Sequence, residues 1–347
     1  MRKGIQLSIS LGLTVLIGYL IYRGVPDWGQ AWDVMLNARA RYLILAFAFV
    51  MLHMVFRSLR WGVLLSPVKR KISLRNLFSL TLVKYTINVI PPRAGEVVAS
   101  VVLAKKEKIS SASVIAASLL ERILDIMTVM VIFGFYISFL AHRYPPDSER
   151  GKDILLAIQA YSTKGFVVLC LGFLFLGLVL KNSHWLEILP AKLRSILLPF
   201  LEGFRALQQG GALLWTVAFS LAIWTAITLQ LWCLMNAYLQ GFPFVGAVFL
   251  MAVTVVGVAI PTPGGVGGFQ FFMDLTLVNF FSAFLSSQDP HSQAAGISNG
   301  SYLVSMVPVI LIGLYFLNRE GLSLSRISEF AHQAEMPVRK PEESAVR

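Results

Sequence analysis

Charge is scarce in this chain of 347 residues: Asp, Glu, Lys and Arg make up 14% of it, against about 25% in a soluble domain. Apolar residues reach 56% and the mean hydropathy is +0.70. Apolar segments cover most of the first 317 positions, which leaves no room for a sizeable aqueous domain, so an attached soluble catalytic domain is not expected. Acid is scarcer than base, with 18 Asp and Glu against 30 Lys and Arg, a net charge of +12. In a soluble protein that excess would raise nucleic acid as a partner; here it is read through topology, and no nucleic acid is expected. Cysteine is nearly absent. Cys170 and Cys233 both fall inside apolar segments, which excludes a disulfide framework and a thiolate metal site. His53 has no second His or Cys at ligand spacing, so it is expected to serve helix packing, and neither metal nor cofactor is expected. The chain also lacks an evident small-residue cleavage site after the apolar run from Ile5 to Tyr22, which is therefore expected to stay as a first span.

What is present are runs of membrane-crossing length. About 20 apolar residues are needed to cross the hydrocarbon core, and this test selects 5–23, 42–65, 110–141, 161–180, 212–239 and 296–317. Two apolar stretches fail it. The first, 75–104, is interrupted by Pro91, Pro92, Arg93, Gly95 and Glu96; the second, 244–285, by the run Pro261 to Gly268 (PTPGGVGG). Proline removes a helix donor and clashes with the preceding turn, and glycine lowers helix propensity, so each stretch is expected to form two short helices. Lys69, Arg70 and Lys71 precede the first stretch and Lys105, Lys106 and Lys108 follow it. Because Lys and Arg gather in cytoplasmic loops, both ends belong on that side and the stretch enters and leaves from the cytoplasm. The same reasoning puts both ends of the second stretch outside and both termini inside.

The expectation is an all-α polytopic membrane protein, six spans plus two re-entrant hairpins, in a single membrane domain over 1–318. Its inverted halves are 42–141 and 212–317; eight plain, kinked spans are the alternative. Broken helices at corresponding positions of inverted halves point to a central transport site. The segment 186–207 spaces Leu and Phe helically opposite Lys192, Arg194, Glu202 and Arg205, as an amphipathic interfacial helix would. Trp28, Trp32, Trp185, Trp215 and Tyr144 suit interfacial belts. The polar tail 319–347 is expected to be a disordered or loosely surface-bound cytoplasmic extension.

Each charge near the bilayer centre costs at least about 2.5 to 3.5 kcal/mol and needs a reason. Lys84, Arg93 and Glu96 sit on the first broken stretch, Glu121, Arg122 and Asp125 on the next span, and Asp274 on the second broken stretch. Glu121 and Asp125, four apart, share a helix face, and Arg122 can pair with Asp125 three residues on. Arg93 can offer a planar bidentate donor to phosphate, at a half-helix start whose Pro92 and Glu96 are helix-start chemistry. Gly264, Gly265, Gly267 and Gly268 permit close backbone approach and a nest of amides for an anion. Mutual neutralisation that merely holds the hairpin is the alternative role for the charged groups. Lys84 has a further option of snorkelling to the interface, and Arg57 and Arg60 read as headgroup anchors.

Asn88 to Glu96 (NVIPPRAGE), Glu121 to Asp125 (ERILD) and Pro263 to Gly267 (PGGVG), in this order and with Arg57 to Trp61 (RSLRW) upstream, resemble the transmembrane region of lysylphosphatidylglycerol synthase, the flippase-like domain family. The resemblance covers roughly 5–317. One position departs: Gln270 stands where the family pattern carries an acidic residue. The resemblance implies movement of a phospholipid or lipid-linked anionic headgroup between leaflets, by a stand-alone member without the synthase domain and not by an enzyme. The partner is then a membrane lipid with a phosphate-containing headgroup, in a bacterial inner membrane. The implied binding set is Lys84, Arg93, Glu96, Glu121, Arg122, Asp125, Gly264, Gly265, Gly267 and Gln270. Two alternatives stand beside it. One is an accessory subunit partnered with a lipid- or envelope-synthesis enzyme; the other is an intramembrane lipid-phosphate enzyme using Glu121 and Asp125 as an acid/base pair or to hold a divalent metal.

Overall fold

A computed structural model describes residues 12, 15, 19, 22–89, 94–141, 145–146, 148–157, 159–160, 211–260, 262–285 and 289–321. The described residues are helical and contain no strand. Four helices are long and apolar enough to cross a membrane: α2 (Ala40–Leu64), α5 (Ser111–Phe135, continued by a π turn to Leu140), α6 (Ala212–Tyr238) and α9 (Pro290–Arg319). They match four of the expected spans. The expected spans at 5–23 and 161–180, the interfacial segment 186–207 and the tail beyond 321 fall outside the described residues, apart from scattered positions in the first.

Both stretches that fail the length test form helix hairpins. In the first, α3 (Leu74–Ile87) and α4 (Ala94–Glu107) have 14 residues each, about 21 Å of helix against a core of about 30 Å. They run antiparallel. At one end the Glu107 carboxylate accepts from Asn76 Nδ2 (2.7 Å) and the Ser73 amide (3.4 Å); at the other the Asn88 side chain accepts from the Gly95 amide at 2.9 Å. That last bond satisfies one of the orphan donors at the start of α4. A Cβ on Gly95 would overlap the Lys84 carbonyl, so the closeness of the two helices needs glycine there.

The second hairpin is α7 (Phe244–Ala259) and α8 (Gly268–Phe280). Phe249, early in α7, lies 4.7 Å ring to ring from Phe280, late in α8, and Gly257 faces Gly268 so closely that neither could carry a side chain. Between them Gly264, Gly265 and Gly267 have φ of 65°, 74° and 87°, left-handed values that side-chain-bearing residues rarely adopt. The two tips meet: Val89 in the first hairpin lies within van der Waals reach of a Cβ placed on Gly264, and Tyr302 of α9, which would collide with that Cβ, donates to the Gly264 carbonyl at 2.9 Å.

The outer ends of the hairpins lie at opposite ends of the bundle. Lys106, at the end of α4, pairs with Glu320 just past the end of α9, whereas Asp274 of α8 pairs with His291 at the start of α9. Helices α2 and α6 are antiparallel, with the Arg39 amide bonded to the Ala237 carbonyl at one end and Arg60 to Ser220 toward the other. Helix α9 begins at Pro290, six residues earlier than expected, because the Asp289 carboxylate caps it by accepting from the His291 amide. One element was not anticipated: α1 (Trp28–Leu36), capped by Asp27 and packed by Ala31 and Val34 against Gly296 of α9. Its Trp28 and Trp32 are exposed, as is Trp215.

Burial runs opposite to a water-soluble bundle. Helix α5 exposes Leu119, Ile123, Ile126 and Met130 as one stripe and buries Glu121 and Asp125 on the other side. Such a helix suits a solvent of hydrocarbon, in which apolar surface needs no covering and charge does.

Candidate functional site

Four helices deliver seven charged side chains to one place. On α2, Arg57 and Arg60 share the inward face with His53, Met54, Trp61 and Leu64, at helical spacing. Arg57 Nη1 lies 3.0 Å and Arg60 Nη2 2.8 Å from the two carboxylate oxygens of Asp125, one on each. Arg60 is fully buried; its Nη1 also donates to Ser220 of α6 at 3.0 Å, and its Nη2 stands 3.9 Å from Glu121. From the first hairpin, Lys84 Nζ reaches Glu121 Oε2 at 2.8 Å and lies 4.7 Å from the Trp61 ring centroid. Glu96, in the first turn of α4, accepts from Arg122 Nε at 2.7 Å, and Arg122 Nη1 is 3.6 Å from Asp125. The aromatic rings of Tyr85 and Trp224 flank the Arg57 guanidinium at 5.5 and 5.9 Å.

Four cations thus face three carboxylates. Burial is graded: the side chains of Arg60, Lys84 and Glu121 are 0 to 5% exposed, whereas Arg122 is 35% exposed and Glu96 17%. The accessible edge lies beside the first hairpin tip. Along α5 the cluster begins about 15 Å from the start of a helix of about 44 Å, so Glu121 and Asp125 sit from about a third to about half of the way along it. Polar atoms without a partner remain among the described residues, including Arg57 Nε, Arg60 Nε and His53 Nδ1. Arg60 Nη2 and Asp125 Oδ1 are 2.8 Å apart but poorly aligned, an ion pair more than a hydrogen bond.

Several sequence expectations change here. Lys84 does not snorkel; it is buried and paired with Glu121. Arg57 and Arg60 are not headgroup anchors at the surface but the main partners of Asp125, because their spacing aims them inward with Trp61. Arg122 pairs with Asp125, as its spacing indicated, and more closely with Glu96. Arg93 lies outside the described residues. At the glycine tip three amides are already engaged: that of Gly265 bonds to the Thr262 carbonyl, that of Val266 to Pro263 and that of Gly267 to Gln270 Oε1 at 2.8 Å. Gln270 therefore caps its own helix, and its Nε2 faces Asn299 at 3.4 Å, while Asp274 sits apart with His291 at 3.1 Å. No group of three His, Cys, Asp or Glu suited to a metal occurs among the described residues. Reading Arg57-Ser58-Leu59-Arg60-Trp61 by helical period, with three acidic partners already noted, would have found the missed residues.

Lipid-facing apolar stripes around a buried ion cluster define an integral membrane protein. The chain belongs to the family described as the lysylphosphatidylglycerol synthase TM region, whose model matches residues 5–313. It is also similar to UPF0104 membrane protein MJ1595 of Methanocaldococcus jannaschii, 26% identical over 309 residues, with 83% of this chain and 88% of the relative covered. Membership associates the chain with membrane lipid metabolism or translocation.

Proposed function

We propose that this protein is not an enzyme but moves a phospholipid, or a lipid-linked anionic headgroup, between leaflets through a polar site where the two hairpins meet. The observation that carries this reading is the buried cluster of four cations and three carboxylates, whose most exposed members among the described residues are Arg122 and Glu96, the latter in the first turn of α4. A phosphate crossing the bilayer must shed water, and fixed guanidinium groups in a low-dielectric site replace that hydration. Arg93 and Arg122 receive the phosphate; Glu96, which Arg122 releases, keeps the empty site neutralised. Lys84, Glu121 and Asp125 hold the charges behind them. Gly264, which lies against Val89, forms the opposing lip with Gly265 and Gly267, and Gln270 caps α8 behind them.

In this reading both hairpins are re-entrant and the halves 42–141 and 212–317 form an inverted repeat. The basic ends at Lys69 to Arg75 and Lys105 to Lys108 face the cytoplasm of a bacterial cell, as do both termini. The short antiparallel helices support it, because two segments of about 21 Å cannot each span the core of about 30 Å. The test is leaflet exchange of headgroup-labelled lipids in liposomes bearing the purified protein, with Arg93→Gln and Arg122→Gln alongside. Wild type accelerates exchange, and each variant slows it at least about tenfold while melting like wild type. Equal exchange by wild type and both variants overturns the reading.

A further inference from the structure

Away from its tip, the first hairpin opens beside the end of α9 around a cleft of about 240 Å³, about eight water volumes. Three cations come to it from three elements: Arg75 from the first turn of α3, Lys106 from the last turn of α4 and Arg319 from the last residue of α9. Lys106 is held by both oxygens of Glu320, at 2.6 and 2.7 Å. Arg75 and Arg319 have no carboxylate at ion-pair distance among the described residues. One wall is apolar: Phe316 lines the cleft and meets the edge of Phe78 at 6.3 Å. Scattered surface cations would spread to lower their repulsion; here two guanidinium groups and an ammonium converge on one concavity beside an aromatic wall.

We propose that this cleft binds a phosphomonoester. Three cations against one carboxylate leave a charge of about +2, which complements a phosphomonoester carrying about −1.5 to −2 at neutral pH better than a phosphodiester carrying −1. Two guanidinium forks supply paired donors to its oxygens, and Phe316 sits where the apolar part of an amphiphile would continue. The site is separate from the buried ion cluster. It is about binding at the water-facing end, and it stands whether or not lipid crosses the membrane.

The probe is phosphatidic acid, titrated into the full chain in phosphatidylcholine-containing micelles and counted by native mass spectrometry. Phosphatidylglycerol serves as the diester comparison, and Arg75→Gln/Arg319→Gln and Lys106→Gln as variants, all checked for unchanged melting. Saturable binding of phosphatidic acid, about tenfold tighter than phosphatidylglycerol and weakened about tenfold or more in the double variant, is expected. Both arginines are exposed, so the double variant keeps its fold; Lys106→Gln, which also frees Glu320, weakens binding as well. Displacement by millimolar inorganic phosphate identifies a free phosphate as the natural source, and resistance to it identifies the lipid-borne group. Equal binding by wild type and double variant, or no preference for the monoester, overturns the proposal.

Discussion

The pairing of Lys84 with Glu121 across the first hairpin and α5 is the contact most open to a quantitative challenge. Their charged atoms are 2.8 Å apart and both side chains are about 95% buried. At an effective dielectric of about 20 the attraction is about 6 kcal/mol, from which the desolvation of two ions subtracts several. Removing one partner alone leaves an uncompensated buried charge, at a cost of about 3 to 5 kcal/mol. The two single variants should not be equal. In Lys84→Met, Glu121 still has Arg60 at 3.9 Å, so the loss falls near the bottom of that range. In Glu121→Gln, the Lys84 ammonium keeps a neutral amide oxygen and the Trp61 ring but no carboxylate, and the loss falls near the top. Lys84→Met with Glu121→Gln removes both charges and leaves Arg60 on Asp125, so the double variant should be at least about 2 kcal/mol more stable than the sum of the singles predicts. Equilibrium unfolding of the four proteins in mixed micelles measures this coupling. Additivity within about 0.5 kcal/mol would refute the pairing and with it the placement of α3 against α5.

Three further outcomes follow from the same geometry. Gly95→Ala drives a Cβ into the Lys84 carbonyl, and the overpacking should destabilise the protein by about 1 to 3 kcal/mol, read as a lowered melting temperature; unchanged melting would disprove the close approach. Glu107 is subject first to burial, which raises its pKa, but bonds from Lys69, Asn76 and the Ser73 amide outweigh it and hold the carboxyl below its ordinary value of 4.5. Its contribution is therefore complete above that value and fades as pH falls through the depressed folded value. A melting profile should show wild type above Glu107→Gln at neutral pH with the gap closing in acid, and a gap independent of pH would count against this. Cysteines placed at Lys71 and Lys106, in a background with Cys170 and Cys233 replaced, should label from the same face of sealed vesicles. Labelling from opposite faces would end the re-entrant reading of the first hairpin.

Membrane class, four of the spans, both breaks and the residue types at the site follow from local composition. Length and hydropathy report whether a helix can live in hydrocarbon, and tandem proline or the run PTPGGVGG lowers helix propensity locally, whatever lies elsewhere in the chain. The acidic pair Glu121 and Asp125 was likewise legible, because a spacing of four puts two residues on one helix face without reference to any neighbour.

Partner choice was not local. Arg57 and Arg60 look like interfacial anchors in their own segment, and only the packing of α2 against α5 and α6 turns them onto Asp125 and Ser220. Lys84 has a stem long enough to reach water, yet α5 places Glu121 closer, and an ion in a low-dielectric interior pairs with the nearest opposite charge. The glycines of the second tip promised free amides, but a tight turn satisfies much of its own backbone, and the fold directs the amides of Gly265, Val266 and Gly267 to Thr262, Pro263 and Gln270. Composition and helical period decide which segments enter the membrane and which faces carry charge. Which charges meet, and whether an edge of the cluster stays open, depends on contacts between residues 26 to 160 positions apart, fixed only when the helices pack.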